Sequence, residues 1–215
     1  MSIIQVKNLD LTINKTQILK NVCVSFEKGK IHGLIGRNGS GKTMLMKCIC
    51  GFIRPTNGEI YVDDKQVGKE CDFPENIGII IETPGFIPYY SGYKNLKLIA
   101  DLNKKITPEQ IKQAMAQVGL DPELKRHVVK YSLGMRQRLG LAQAIMENPD
   151  ILILDEPMNG LDNEGVEDMR KYLLDFRKQG KTIIIASHST EDIEVLCDTV
   201  SEMDKGILTK IRQWN

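Results

Sequence analysis

The hydrophobic pattern along the chain predicts buried strands that alternate with helices. Three segments are apolar almost throughout, namely Ile31–Ile35, Ile151–Leu154 and Ile183–Ala186. Strands of a parallel sheet are covered by helices on both faces, so they consist of continuous apolar runs rather than of alternating apolar and polar residues. The pattern therefore predicts an α/β fold with a mainly parallel sheet.

A different pattern, typical of helices, covers residues 88–148. Thr107 followed by Pro108 indicates a helix start with Thr107 as the N-cap. A second helix is predicted from about Met135 to Glu147, and Pro149 prevents its continuation. Because apolar strands flank this region on both sides, we predict a helical subdomain inserted between them.

The N-terminal part of the chain contains short segments that favour β structure. Val22–Phe26 and Gly58–Val62 carry β-branched and aromatic residues and lie next to turn residues. We predict that they belong to an N-terminal antiparallel β subdomain. The 215 residues are thus expected to form one domain, in which the core with its β subdomain takes residues 1–87 and 149–215 and the helical subdomain takes 88–148.

Composition and charge narrow the functional classes. Lysine and arginine total 29 while aspartate and glutamate total 28, so no net field attracts the chain to nucleic acid or to an anionic membrane. No run approaches the roughly 18 apolar residues of a membrane-spanning helix, and the N-terminus lacks a secretory signal. The five cysteines form no CxxC pair, which favours reduced, buried thiols. We therefore expect a cytoplasmic protein without a nucleic-acid partner.

The clearest chemical signal is a glycine-rich segment between an apolar strand and a helical run. It matches the GxxxxGK[ST] pattern of a phosphate-binding loop. Its members are Gly36, Arg37, Asn38, Gly39, Ser40, Gly41, Lys42 and Thr43. Backbone N–H groups and the helix N-terminus would surround phosphate oxygens, while Lys42 would reach the β- and γ-phosphates and the Thr43 hydroxyl would ligate Mg²⁺. A turn that is glycine-rich by chance would not need the lysine and the threonine, so the sequence predicts a site for ATP and Mg²⁺.

Four further polar side chains follow the ends of apolar runs: Glu82, Asp155, Glu156 and His188. Ligands of open α/β sheets bind outside the carboxyl ends of the strands, so we expect these side chains to share one site with the phosphate loop. Asp155 and Glu156 are adjacent in the chain, so that one carboxylate can hold Mg²⁺ while the other orients or deprotonates the attacking water. The alternative, an acid that only caps the following helix, explains one carboxylate but not two.

The phosphate loop, the adjacent acids and the histidine follow one another along the chain in the order of the motifs of the ABC ATPase family. The resemblance to this family extends from about Ile3 to Leu208. Ser132–Arg138 stands where the family has its LSGGQ signature, Asn159–Asp162 resembles the D-loop, and His188 matches the switch histidine. The resemblance implies a P-loop NTPase core. It also implies a head-to-tail dimer, in which ATP is held between the phosphate loop of one subunit and the signature of the other.

The same resemblance implies a role for each matching residue. Glu156 would be the catalytic base, with Lys42 and His188 as further catalytic groups. Ser132 and Gly134 would contact the γ-phosphate bound by the partner subunit. Asp162 would link the two sites of the dimer.

Four positions depart from the family pattern. Leu133 and Met135 replace a glycine and a glutamine of the signature, which raises the alternative of a subunit that binds ATP without hydrolysing it. We favour hydrolysis because the groups needed for chemistry are all retained. Glu82 replaces the usual Q-loop glutamine and can still ligate Mg²⁺. Ile13 stands where the family stacks adenine on an aromatic residue, which leaves selectivity between ATP and GTP open.

The segments Ile80–Phe86 and Tyr131–Gly140 resemble a bacterial subgroup that exports bacitracin or confers lantibiotic immunity. The leading hypothesis is therefore an ATP-hydrolysing motor subunit of an ABC transporter. It would bind a membrane permease near Glu82–Tyr93 and lie at the inner face of the cell membrane. A soluble ABC ATPase of translation or DNA repair, and a regulatory module that never hydrolyses ATP, are the alternatives.

Overall fold

The computed structural model describes residues 1–82 and 85–213, and these form two sheets and a group of helices. The strands are β1 (Ser2–Ile13), β2 (Thr16–Glu27), β3 (Ile31–Ile35), β4 (Asn57–Val62), β5 (Lys65–Gln66), β6 (Ile77–Ile80), β7 (Ile151–Asp155), β8 (Thr182–Ala186), β9 (Thr199–Asp204) and β10 (Ile207–Gln213). The helices are α1 (Lys42–Ile49), α2 (Gly92–Asn103), α3 (Pro108–Gln117), α4 (Leu133–Ile145), α5 (Asn163–Lys178) and α6 (Thr190–Leu196).

The larger sheet has the strand order β10-β9-β3-β8-β7-β6. All its neighbouring strands pair in parallel, except that β10 pairs antiparallel with β9. The predicted mainly parallel sheet is therefore confirmed. β3, β6, β7 and β8 end at the same edge of this sheet, which is the edge where the sequence places the phosphate loop and the polar side chains.

The smaller sheet is antiparallel, with the order β2-β1-β4-β5, and confirms the predicted N-terminal β subdomain. Its first two strands are longer than the short segments expected from the sequence, since β1 and β2 have 12 residues each. They are joined by Asn14 and Lys15, whose φ angles are 48° and 66°. Positive φ at both central residues is the conformation of a tight hairpin turn, which a lysine adopts less readily than a glycine does.

The unbroken apolar runs are explained by burial on both faces of the larger sheet. In β7, Leu152 and Leu154 pack into a hydrophobic cluster formed with the helices α2–α6. Their neighbours Ile151 and Ile153 belong to a second cluster, formed with α1 and the antiparallel sheet. Successive side chains of a strand point to opposite faces, so a strand that is covered on both faces has apolar residues at consecutive positions.

The helices α2, α3 and α4 lie between β6 and β7 in the chain, and α4 packs against β6. The predicted helix start at Thr107 is confirmed, because the Thr107 hydroxyl accepts from the backbone N–H of Gln110 and the Gln110 side chain accepts from that of Thr107. α4 begins at Leu133, two residues before the predicted start, because Ser132 caps it. The boundaries 88–148 of a helical subdomain stay a prediction.

Three of the cysteines are buried as expected, namely Cys48, Cys50 and Cys197. Burial raises the pKa of each of these thiols to about 12, so they stay protonated and unreactive. Cys23 is exposed and Cys71 is half-buried, which corrects the expectation that the thiols are all buried. Among the described residues, none of the helices combines the length and the apolar character that a membrane crossing requires.

Candidate functional site

The phosphate loop connects β3 to α1 and depends on glycines with left-handed backbone angles. The φ angles of Gly36, Gly39 and Gly41 are 139°, 77° and 118°. A Cβ atom at Gly36 would lie only 2.2 Å from the carbonyl oxygen of Met203 at the end of β9. Gly41 is the N-cap of α1 and carries no side chain that could accept from the first N–H groups of the helix. These groups are therefore available to a negatively charged ligand.

Lys42 places its ammonium group inside the curve of the loop. Its Nζ atom donates to the carbonyl oxygens of Gly36 and Arg37, at 2.6 and 3.4 Å, and the residue is buried. Phosphate oxygens are charged and would attract this ammonium more strongly than neutral carbonyl oxygens do. The Ser40 hydroxyl oxygen is also buried, and it has no hydrogen-bond partner among the residues that the structure describes. Both features fit a loop built around phosphate.

Thr43 and Asp155 bring two oxygen ligands together. The Thr43 hydroxyl donates to Asp155 Oδ2 at 2.6 Å, which joins the first turn of α1 to the end of β7. A hydroxyl and a carboxylate are the kind of ligand that Mg²⁺ prefers, since this ion binds oxygen and takes few protein ligands when it also binds phosphates. The two side chains therefore fit the metal that the sequence implies.

Glu156 and His188 form the second polar contact at this edge of the sheet. His188 Nδ1 lies 2.8 Å from Glu156 Oε2. Glu156 has a φ angle of 51°, and its backbone N–H donates to the Ala186 carbonyl at the end of β8. A non-glycine residue in this conformation costs about 1–3 kcal/mol, and such strain is common where a side chain must be held for function. The Gln137 side chain donates to the Glu156 carbonyl at 3.3 Å and holds the same turn.

Glu82 makes an ion pair that the sequence did not predict. Its Oε1 accepts from Lys47 Nζ at 2.7 Å, and its side chain is 63% exposed. Lys47 lies one helical turn after Thr43 on the same side of α1, and from there it reaches Glu82, two residues after the end of β6. The spacing of four residues between Thr43 and Lys47 is the one signal in the sequence that could have indicated that Lys47 faces the site.

The phosphate loop and the carboxylates line one pocket of about 720 Å³, a volume within the range of small-ligand sites. Its lining includes residues 38–44 of the loop together with Glu82, Asp155 and Glu156. The predicted gathering of these groups at one edge is thus seen in the structure. His188 reaches this group through its contact with Glu156 rather than by lining the pocket itself.

The apolar residue that the N-terminal strands contribute to this pocket is Ile18, at the start of β2. Ile13, the residue expected to face adenine, lies at the end of β1 and packs against the buried cluster beneath the antiparallel sheet. Because the hairpin turn is at Asn14 and Lys15, Ile13 and Ile18 are near each other in the fold, but Ile18 is the one beside the phosphate loop. Neither residue offers an aromatic face for stacking.

Ser132, Gly134 and Asp162 do not line the pocket formed by the phosphate loop of the same chain, although Leu133, between the first two, does. Ser132 caps α4, and its hydroxyl accepts from the Met135 N–H at 3.1 Å. Asp162 caps α5, and its Oδ1 accepts from the Gly165 N–H at 2.9 Å. A Cβ atom built on Gly134 would lie 3.3 Å from the Gly160 carbonyl oxygen, so the starts of α4 and α5 lie side by side.

Comparison with known proteins agrees with this geometry. The sequence profile of the ABC transporter family matches residues 19–159. YybJ, an uncharacterized ABC transporter ATP-binding protein of Bacillus subtilis (strain 168), is 46% identical over 205 residues, which cover 95% of this chain and 94% of YybJ. The bacitracin transport ATP-binding protein BcrA of Enterococcus faecalis is 38% identical over 210 residues, covering 97% of this chain and 68% of BcrA. The lantibiotic transport ATP-binding protein SrtF of Streptococcus pyogenes is 36% identical over 203 residues, covering 94% and 87%.

Solved structures show the same fold. A dimeric ATP-binding cassette in a post-hydrolysis state, bound to ADP and Pi, superimposes with a TM-score of 0.86 at 21% identity. The superposition covers 98% of this chain and 100% of that protein. At this level of identity the likeness concerns the fold, and it confirms the predicted P-loop arrangement of a mainly parallel sheet with an antiparallel β subdomain.

We predict that Gly36→Ala damages the site more than Gly39→Ala does. At Gly36 the added methyl group would meet the Met203 carbonyl, and the resulting overpacking should cost roughly 1–3 kcal/mol of unfolding free energy in addition to backbone strain. At Gly39 no atom lies within 4 Å of the added Cβ, so only the strain of a positive φ remains. Urea unfolding measures the stability of both variants, and nucleotide titration measures their affinity. Equal losses in the two variants would contradict the close approach of Gly36 to the Met203 carbonyl as the reason for the difference.

Proposed function

We propose that this chain, which belongs to the ABC transporter family, acts as one of two identical subunits that hydrolyse ATP to drive a membrane permease. Membership follows from the family match over residues 19–159 and from relatives that are 36–46% identical over nearly the whole chain. As an ATP-binding subunit of an ABC transporter the chain is an ATPase. The observation that carries the mechanism is the contact between Glu156 and His188 beside the phosphate loop.

Hydrolysis of ATP requires a positioned water and stabilisation of charge on the γ-phosphate. Lys42 and the N–H groups at the start of α1 would bind the phosphate oxygens. The Glu156 carboxylate would accept a proton from water while the water oxygen bonds to the γ-phosphorus and the bond to the β–γ bridging oxygen breaks. ADP leaves with that electron pair. His188 would hold the Glu156 carboxylate in the orientation needed for proton transfer.

We further propose that Thr43 and Asp155 hold Mg²⁺ together with Glu82. The 2.6 Å contact between Thr43 and Asp155 supports the first two ligands, and the position of Glu82 in the lining of the same pocket supports the third. When bound, the ion would neutralise charge that develops on the β- and γ-phosphate oxygens. Lys47 competes with the ion for Glu82, since both are cations.

A second copy of the chain would complete the site. Ser132, Gly134 and Asp162 do not line the pocket of their own phosphate loop, which supports a role at the phosphate loop of a partner subunit. A dimeric cassette is among the solved structures with the same fold. We propose that this chain dimerises when ATP binds and separates after hydrolysis, which would transmit movement to the permease.

The surface after β6 is the proposed contact with the permease. Within it, Ile87 is 44% exposed and Tyr89 is 73% exposed, and neighbouring apolar surface of this kind is typical of interfaces. Pro84, which the sequence also placed in this surface, lies outside the described residues. Through this contact the chain would be held at the inner face of the cell membrane.

We propose peptide antibiotics as the transported class. BcrA is a bacitracin transport protein and SrtF a lantibiotic transport protein, and both match this chain over 94% or more of its length. The similarity to transport proteins also favours a transporter subunit over a soluble ABC ATPase of translation or DNA repair. The retained Glu156 and His188 favour hydrolysis over a purely regulatory role.

Glu156→Gln is expected to reduce the rate of ATP hydrolysis by roughly 10²-fold or more, because an amide cannot accept the proton of the attacking water. ATP binding should be retained, and the ATP-bound dimer should become long-lived enough to detect by size-exclusion chromatography. Glu123→Gln, the same change on an exposed carboxylate of the helical region, is the matched control. Hydrolysis by the Glu156→Gln protein at the rate of the unmodified chain would remove Glu156 from the mechanism.

Lys47→Met and Glu82→Gln should shift the metal dependence in opposite directions. An ion pair whose carboxylate is mostly exposed to solvent is worth about 0–1 kcal/mol, so loss of Lys47 should lower the half-saturating Mg²⁺ concentration by at most about fivefold. Loss of the Glu82 carboxylate should raise it. Mn²⁺ binding to the ATP complex, followed by electron paramagnetic resonance, gives a readout that does not depend on turnover. Lys28→Met removes an exposed lysine elsewhere as the control, and unchanged metal affinity in both site variants would contradict the proposed ligand.

Deletion of the gene for this chain should make the cell more sensitive to bacitracin or to a lantibiotic. Expression of the unmodified chain should restore resistance, whereas the Glu156→Gln protein should not, because export needs hydrolysis. The minimum inhibitory concentration measures the effect. Unchanged sensitivity to both classes of peptide antibiotic would argue against this cargo while leaving the ATPase activity in place.

A further inference from the structure

A buried ion pair joins α5 to α6 next to the proposed catalytic pair. Nε and Nη2 of Arg170 both donate to Asp192 Oδ1, at 2.9 and 2.6 Å. The side chains of Arg170 and Asp192 are 8% and 4% exposed. Removal of two charges from water is costly and is offset only when the geometry is good, so such a pair is weak evidence for a role in stability. Its position suggests a different role.

The remaining donors of Arg170 bind exposed carboxylates. Its Nη1 donates to Glu167 Oε1 at 2.7 Å and to Glu191 Oε1 at 3.0 Å. The hydrogen bonds that Arg170 donates to Glu191 and Asp192 raise its pKa, so the guanidinium stays charged in the folded protein. Arg170 is therefore held by carboxylates on both helices and cannot move without breaking several hydrogen bonds.

Asp192 extends this network to the segment that carries His188. Its Oδ2 accepts from the Ser187 hydroxyl at 3.3 Å, and the Ser187 oxygen accepts from the Ser189 N–H at 3.1 Å. The Ser189 hydroxyl in turn accepts from the Asp192 N–H at 3.3 Å and caps α6. His188 lies between these two serines in the chain, so its backbone is fixed on both sides.

The His188 ring depends on that backbone for its position. Its side chain is 67% exposed, and its contact with Glu156 is a single hydrogen bond of 2.8 Å. Arg170, Asp192, His188 and Glu156 line one cleft of about 480 Å³. The ion pair and the catalytic pair thus lie on the same cleft, connected through Ser187 and Ser189.

We propose that Arg170 is a positioning residue for ATP hydrolysis, which acts through Asp192 and the two serines to hold His188 against Glu156. The proposal rests on the hydrolytic role of Glu156 given above. α5, the helix that carries Arg170, begins at its N-cap Asp162, so the same ion pair connects the D-loop helix to the histidine. No sequence pattern indicates this role, because an arginine at the eighth position of a helix is usually a solvated side chain.

The test removes both charges at once. Arg170→Met alone would leave the Asp192 carboxylate buried without its cation and would destabilise the fold. The paired change Arg170→Met with Asp192→Leu fills about the same volume with apolar side chains, and such replacements of a buried ion pair are often neutral for stability. We expect the melting temperature and ATP affinity to stay close to those of the unmodified chain, while kcat falls by roughly 10- to 100-fold because the catalytic groups are misplaced.

A double-mutant cycle separates positioning from a general loss of structure. In a His188→Ala background the paired change should cause no further loss of kcat, because Arg170 acts through His188. Losses that add in full would assign the ion pair a structural role and would overturn the proposal. Arg177→Met is the matched control on α5, since Arg177 pairs with Asp198 beyond α6 and away from His188. The kcat of the Arg177→Met protein should stay close to that of the unmodified chain.

A second readout needs no turnover. In a protein with ¹³C-labelled histidines, the signal of His188 should shift in the paired variant, while that of the buried His32 should not. An unshifted His188 signal would overturn the role of Arg170. Absence of hydrolysis by the unmodified chain would overturn the proposed function instead, and the histidine spectrum would still decide whether the ion pair positions His188.

Discussion

The alignment of three parallel strands determines where every proposed catalytic group lies. In the larger sheet, Leu34 of β3 and Asp155 of β7 both pair with Ala186 of β8. Gly36, Glu156 and His188 follow these positions by one or two residues, so they emerge together at one level of the sheet edge. A shift of one residue in either pairing would move the side chains of the strand to the opposite face of the sheet, and the polar residues that follow the strand would no longer meet at this edge. The hydrophobic matching of these strands therefore also sets the geometry of the site.

Much of this arrangement follows from short-range features of the sequence. The unbroken apolar runs identify the strands buried on both faces, and the phosphate loop identifies the edge where the ligand binds. Lys47 and Arg170 could not be found in the same way. Each is a charged residue on a helix, and its ion pairs depend on which carboxylates the fold brings near it. α4 begins two residues before the start that its hydrophobic pattern predicts, because the Ser132 cap lies before that pattern.

The altered signature has a local structural explanation. A Cβ atom at Gly160 would lie 2.2 Å from Leu133 Cδ2, so the Leu133 side chain covers the D-loop where a larger residue than glycine would not fit. Leu133 also lines the pocket of the phosphate loop. Met135 packs partly against the helical core and gives its N–H to the cap of α4. These two residues thus contribute packing at places where the family pattern has a glycine and a glutamine.

The helix cap that Ser132 forms and the phosphate contact that we propose for it depend on the same oxygen atom. A hydroxyl has one hydrogen to donate and two lone pairs to accept with, and in Ser132 a lone pair is used for the Met135 N–H. The hydrogen remains to be donated, and the cap restricts the directions in which it can point. A substitution that removes the hydroxyl would therefore loosen the helix by about 1 kcal/mol and remove the proposed phosphate contact at the same time. Stability and the proposed contact between subunits would therefore change together with any substitution that removes this hydroxyl.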